Sequence, residues 1–135
     1  MAEQKEEIIT QKAVIIKSTQ LLILKRSQTE KAFAGLWDFA GGKAEIGEND
    51  EQSLIREVKE ETALDIKPKE ILGTYFGELN KKSVKFIIFM AEVIAGEVRI
   101  NFEHDDYKWA DVDEIKKLPA MSYMADFLAD FKINN

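Results

Sequence analysis

The stretch Gly42–Leu64, GKAEIGENDEQSLIREVKEETAL, decides how this chain is read. From Asp50 onward its residues have the spacing of a helix with two unlike faces. Leu54, Ile55 and Val58 fall on one side and are expected to pack into a core. Glu57, Glu60 and Glu61, three and four residues apart, share another stripe. Asn49 or Asp50 is the expected N-cap, with Ser53 near the first turn. The acids break local rules. Like charges at i,i+4 cost an isolated helix roughly 0.2–0.5 kcal/mol, and the C-terminal part of a helix favours cations over anions. Arg56 and Lys59 offset only part of this. Such a conflict tends to mark a functional site, and three carboxylates on one stripe suit a hard cation such as Mg²⁺. The competing reading is a solvated charged face.

The fixed spacing around the acids is more specific than the acids alone. Gly42 is followed after five residues by Glu48, and after seven more by Arg56-Glu57, Val58, Lys59, Glu60-Glu61, Thr62, Ala63 and Leu64. This resembles the signature of the Nudix hydrolase family: glycine, five residues of any kind, glutamate, seven of any kind, then Arg-Glu-aliphatic-any-Glu-Glu-any-Gly-aliphatic. Every fixed position agrees except the family glycine, which is Ala63 here. The preceding Leu36–Lys43, LWDFAGGK, is similar to the MutT-like branch, with Ala40 where that branch usually has proline. The signature covers about a sixth of the chain, and the flanking pattern extends the resemblance over most of it.

The resemblance implies an α+β fold, an α/β/α sandwich around a mixed, curved β-sheet, with the signature as a loop–helix–loop beside the sheet. It implies Mg²⁺ or Mn²⁺ bound by Glu57, Glu60 and Glu61 and by the backbone at Gly42. Arg56 would orient a glutamate of that set by charge-assisted hydrogen bonding, and Glu48 would brace the loop. Catalysis would then involve Arg56, Glu57 and Glu60, with a general base outside the signature. Glu103 is the candidate base, with Asp105 and Asp106 behind it. A metal-activated water would make a separate base unnecessary. His104, the one histidine, reads equally as an exposed loop residue or a proton carrier. Gly41 allows a tight backbone path at the substrate. Lys43 reads either as a phosphate contact or as a surface cation. Arg26 reads either as a substrate contact, as in MutT-like proteins, or as half of a surface ion pair. The family glycine at the Ala63 position would end the helix in a left-handed conformation. Ala63 either accepts that strain or ends the helix differently.

Composition bounds the function. The 135 residues, 45% of them hydrophobic, are enough for one domain with a real core, so a single domain over 1–135 is expected, with 1–6 as a flexible tail. The net charge of −6 argues against broad nucleic-acid binding. An acidic protein that handles polyphosphates needs counter-charge, which bound metal supplies. With no cysteine there is no disulfide, thiolate site or cysteine nucleophile. MAEQKEEIITQ lacks a signal-peptide apolar region and no apolar run reaches spanning length, so a cytoplasmic protein is expected, without membrane contact. A monomer and a homodimer are equally compatible with the sequence.

Element signals run along the whole chain. Ile8–Lys17 and the apolar run Leu21–Arg26 read as strands joined by Ser18-Thr19-Gln20. Ser27–Ala34 reads as a loop at the rim of the site. Leu36–Phe39 reads as a short strand that Lys43–Ile46 extends. Glu70–Leu79 and Ser83–Val93 read as a hairpin around Asn80-Lys81-Lys82. Ala95-Gly96 is a turn before a short strand at Val98–Ile100. Asp111–Lys117 reads as a short helix before Pro119. Ser122–Phe131 reads as a C-terminal helix whose Met124, Phe127, Leu128 and Phe131 face the core.

The substrate is the least defined part. A MutT-like enzyme acting on nucleoside di- or triphosphate derivatives, including oxidised ones, is the favoured reading. MutT enzymes that read oxidised guanine carry an asparagine after a proline–alanine pair, and here Leu118-Pro119-Ala120 is followed by Met121, which cannot make those base-edge hydrogen bonds. ADP-ribose, nucleotide sugars and dinucleoside polyphosphates stay open, as does a Nudix domain that senses nucleotide without cleaving it.

Overall fold

A computed structural model of the protein describes residues 7–79 and 81–133. At its centre is β1 (Glu7–Lys17), which turns through Ser18-Thr19 into β2 (Gln20–Arg26). Two short strands follow, β3 (Trp37–Asp38) and β4 (Ala40–Lys43), then helix α1 (Asp50–Thr62). The long hairpin β5 (Asp65–Leu79) and β6 (Lys82–Ala95) precedes β7 (His104–Ala110), α2 (Val112–Lys116) and α3 (Ser122–Asp130). The strand path is β3-β2-β1-β6-β5, with β4 also pairing β1 and β7 also pairing β2.

The sheet is mixed because β1 runs parallel to β6, from Glu7 opposite Ser83 to Ile15 opposite Ala91, and antiparallel to β2 and β4. The two-residue side-chain period sorts β1 between layers. Ala13 and Ile15 join Leu54 and Val58 of α1, with Leu22, Leu24 and Phe89, in one core. Val14 joins Ile23, Phe86, Ile88, Tyr123, Met124, Phe127 and Leu128 in the other, beneath α3. Phe86 stacks on Tyr123 at 4.0 Å between centroids, and Phe39 meets Phe127 edge-on at 5.7 Å. Helices cover both faces, as expected of the α/β/α arrangement.

Several boundaries differ from the sequence reading. Val98–Ile100 forms no strand: Arg99 N donates to Thr62 O, so this segment ties to the end of α1 instead of to a sheet. β4 stops at Lys43, and Ala44–Ile46 lead into a turn whose backbone Glu45 N donates to the Glu48 carboxylate. β5 starts at Asp65, before Pro68, with register shifts between Pro68 and Gly73 that absorb the proline. Ile55 is 40% exposed, not core. Asn80 and residues 1–6, where a turn and a tail were expected, lie outside the described residues.

The helix ends follow capping chemistry. Asn49 Oδ1 accepts from Gln52 N at 2.8 Å while Gln52 Oε1 accepts from Asn49 N at 3.0 Å, a reciprocal capping box. Ser53, buried in the first turn, donates instead to Gln11 on β1. Ala63 is left-handed at φ 65°, and its N–H donates to Lys59 O. The helix therefore keeps the glycine-type ending with an alanine, a strain of roughly 1 kcal/mol or more. Ala63→Gly is expected to stabilise the fold by about 1 kcal/mol, read as a rise in denaturation midpoint. A clear fall would show that the ending is not strained.

Candidate functional site

Two glycines on β4 set the geometry. Gly41 has φ 142°, and a Cβ there would lie 2.0 Å from the Gln11 carbonyl oxygen, so side chains are excluded by both conformation and space. Gly42 is different. Its backbone does not require glycine, but a Cβ would stand 2.6 Å from the Glu57 carboxyl carbon. The missing side chains let β4 lie against β1 on one side and against the acids of α1 on the other.

Each acid of the expected trio meets a different environment. Glu61 is 5% exposed and accepts from Gly41 N at 2.7 Å. Burial pushes its carboxyl up to about 8, and the nearby Lys12 ammonium and the Gly41 N–H oppose that only in part. Glu57, partly buried beneath Gly42, is also raised, chiefly by burial and in part by Glu60 and Glu103. Glu60 is half-exposed and held by Arg56 at 3.1 and 3.2 Å. The structure thus brings Glu57 and Glu61 to the glycine strand and leaves Glu60 further out. Among the described residues no three acidic or histidine side chains already form a closed cation cage.

Arg56 is the hub of the loop. Its Nε and Nη2 donate to the two Glu48 oxygens at 2.7 and 3.1 Å, a bidentate grip. Nη2 also reaches Lys43 O at 3.2 Å, and Nη1 lies 3.2 Å from Glu57. One guanidinium therefore ties α1 to the loop and to the end of β4. Glu48 braces this loop, and the arginine hydrogen bonds hold its carboxyl below the usual range.

The remaining candidates are split. Arg26, at the end of β2, lines a cleft of about 210 Å³ with Gly41, Gly42 and Lys43. Its Nε donates to Ala32 O at 3.2 Å and its guanidinium stands 3.8 Å from Asp38. Glu103 sits just before β7, and its carbonyl accepts from Ser27 N at 2.9 Å. Asp105 accepts from Gln28 N and so ties that loop to β7, while Asp106 accepts from Tyr107 N within the strand. His104 is neither an exposed residue nor a free proton carrier. It is 6% exposed, its Nε2 lies 3.7 Å from Glu61, and burial depresses it to about 4. Its Nδ1 is the one buried side-chain polar atom without a partner among the described residues.

Sequence reasoning missed Lys12, Asp38 and Tyr123. Lys12 and Asp38 are 5% and 1% exposed, lie in the cleft wall and form an ion pair at 2.9 Å. Tyr123, 1% exposed, donates its hydroxyl to Asp38. A lone lysine inside the apolar alternation of β1 was the available signal.

Comparisons with known proteins agree with this arrangement. A family model described as the NUDIX domain matches residues 10–131. The ADP-ribose pyrophosphatase of Methanocaldococcus jannaschii is 34% identical over 82% of this chain, and the chain spans 63% of that protein's length. The CTP pyrophosphohydrolase of Escherichia coli is 27% identical over 79% of this chain and 78% of its own. The crystal structure of a MutT protein from Methanosarcina mazei Go1 superposes with a TM-score of 0.87 at 32% identity, covering 95% of this chain and 94% of that one. No helix among the described residues is long and apolar enough to cross a membrane.

The burial of Glu61 has a signed consequence for stability. Its folded carboxyl is raised from the usual 4.5 to about 8, so the unfolded chain ionises first as pH rises. With chelator present, the Glu61 contribution to stability therefore declines between about pH 4.5 and 8. His104 acts oppositely, losing stability as pH falls from 6.5 through about 4. Glu61→Gln, which keeps an acceptor for Gly41 N, is expected to gain thermal stability over the parent at pH 8 and little at pH 5. A difference that does not change with pH would contradict the burial.

Proposed function

The chain belongs to the NUDIX family, and from that premise we propose that it is a metal-dependent pyrophosphohydrolase. Its substrate would be a nucleoside di- or triphosphate derivative cut by attack of water on phosphorus, with the MutT-like nucleoside triphosphate type favoured. The observation that carries this reading is the pair of crowded carboxyls, Glu57 and Glu61, packed against Gly42 and Gly41, the two glycines that line the cleft.

The donor set fits a hard divalent cation. It consists of carboxylate and backbone oxygens only, and two of its carboxyls are raised chiefly by burial and in part by neighbouring carboxylates, a state that a cation relieves. Glu57, Glu60, Glu61 and the Gly42 backbone would hold Mg²⁺ or Mn²⁺. When bound, the metal neutralises the adjacent phosphates and lowers the proton affinity of a water.

The protein's own groups divide the remaining work. Arg56 fixes the loop and Glu57 through the contacts described above. Lys43 and Arg26 line the cleft as cations for phosphate oxygens, and Gly41 allows the chain to approach closely. Glu103, near enough to Glu57 to raise its carboxyl, takes the proton of the attacking water. The water oxygen bonds to phosphorus as the bridging phosphoanhydride oxygen departs. A second reading, hydrolysis of ADP-ribose, is favoured by the M. jannaschii relative of that name.

Glu60→Gln tests the assignment. It removes one negative charge from an exposed side chain, so folding should be intact while Mg²⁺-dependent turnover of nucleoside triphosphates falls at least about a hundredfold. Full activity in this variant would remove Glu60 from the site. A parent protein that releases no nucleoside monophosphate from any nucleoside triphosphate, ADP-ribose or nucleotide sugar, with or without Mg²⁺, would favour the non-catalytic sensor instead.

A further inference from the structure

The inner end of the cleft holds a buried charged pair that the hydrolytic chemistry does not use. Lys12 Nζ donates to Asp38 Oδ2 at 2.9 Å and to Phe39 O at 3.3 Å. Tyr123, pinned by its stacking on Phe86, donates to the other Asp38 oxygen, and Arg26 stands 3.8 Å away. Burying such a pair costs more than apolar packing of the same volume, so its presence asks for a use.

The arrangement is asymmetric. An ammonium has three donors, and two of those on Lys12 are committed within the protein, leaving one for the cleft that Lys12 lines. Asp38 already receives Lys12 and Tyr123, with Arg26 close by. The polar end of the cleft therefore offers donors. Its walls are largely apolar, formed by Ile8, Val84, Phe86, Leu79 and Met121, with Thr10, Glu78 and Ser122 as polar members. A flat ring fits between such walls only if its edge atoms find partners.

The geometry points to Lys12 as a specificity-determining residue that donates to a ring carbonyl oxygen of the substrate's base. Asp38 and Tyr123 are its positioning residues. This rests on the nucleotide reading above and narrows it: 6-oxo purines and 4-oxo pyrimidines are preferred to their amino counterparts. An amino group at the same place would set donor against donor and leave a buried polar group unpaired. The preference runs against adenine-bearing substrates, ADP-ribose among them.

Equilibrium binding to the full chain, measured by calorimetry, tests this without requiring turnover. IMP against AMP and UMP against CMP are the probes, because each pair differs only along the base edge. The oxo member of each pair is expected to bind at least about tenfold more tightly. Lys12→Met alone would strand Asp38, so the decisive variant is Lys12→Met with Asp38→Asn, which removes both charges of the pair together. In it the ratio falls towards one, while circular dichroism reports an intact fold. Equal binding of the members of a pair, tighter binding of the amino member, no binding of any probe, or a preference that survives the double variant overturns the inference. Turnover without preference would sink this inference and spare the hydrolase reading. Preference without turnover would do the reverse.

Discussion

Close approach of two strands and a helix organises this protein. β4 lies against β1 so tightly that a Cβ on Gly41 would overlap the Gln11 carbonyl, and α1 comes close enough for Glu57 to occupy the space of a side chain on Gly42. The contact has polar fastenings: Gly41 N to Glu61, Arg56 to Lys43 O, Ser53 to Gln11, and Gln11 to Asp50. Hydrophobic layers on both faces hold β1 still, and the acids of α1 are positioned because β1 is still.

That arrangement buries polar groups that a stability-optimised core would avoid. Lys12, Asp38, Glu61 and His104, on β1, β3, α1 and β7, are each at most 6% exposed and lie close together. Desolvation there favours neutral forms, so Glu61 is protonated more readily and His104 less readily than in water. The contact between these two is accordingly not an ion pair near neutral pH. Clustered polar burial of this kind belongs to function, and the aromatic packing of Phe39, Phe86, Tyr123 and Phe127 offsets its cost.

The fold was legible in the sequence wherever a period was long enough to see. The apolar runs of β1, β2 and β6 and the helical spacing of α1 and α3 announced themselves. Val98–Ile100 misled because β-branched residues fit an extended segment whether or not it pairs, and this one bonds to Thr62 O. The start of β5 was hidden by Pro68, which reads as a break until the bulges are seen. At the site, residues tied to local spacing were readable: Arg56, Glu57, Glu48 and the glycines. Lys12, Asp38 and Tyr123 were not, because they meet only through sheet pairing and the docking of α3, with sequence separations of 26 and 85. Sequence spacing also overstated the unity of the acids, since helical proximity does not determine which carboxyl is drawn inward and which is held outside by arginine.

Cation binding at this site would depend on the Glu57 carboxyl occupying the space that Gly42 leaves empty. A Mn²⁺ titration followed by electron paramagnetic resonance, comparing the parent with Gly42→Ala, addresses it directly. The backbone at Gly42 accepts alanine, so the added methyl acts by displacing Glu57. This dependence predicts an affinity at least about tenfold weaker in the variant, with little change in thermal stability. Unaltered Mn²⁺ affinity in a folded Gly42→Ala protein would contradict it.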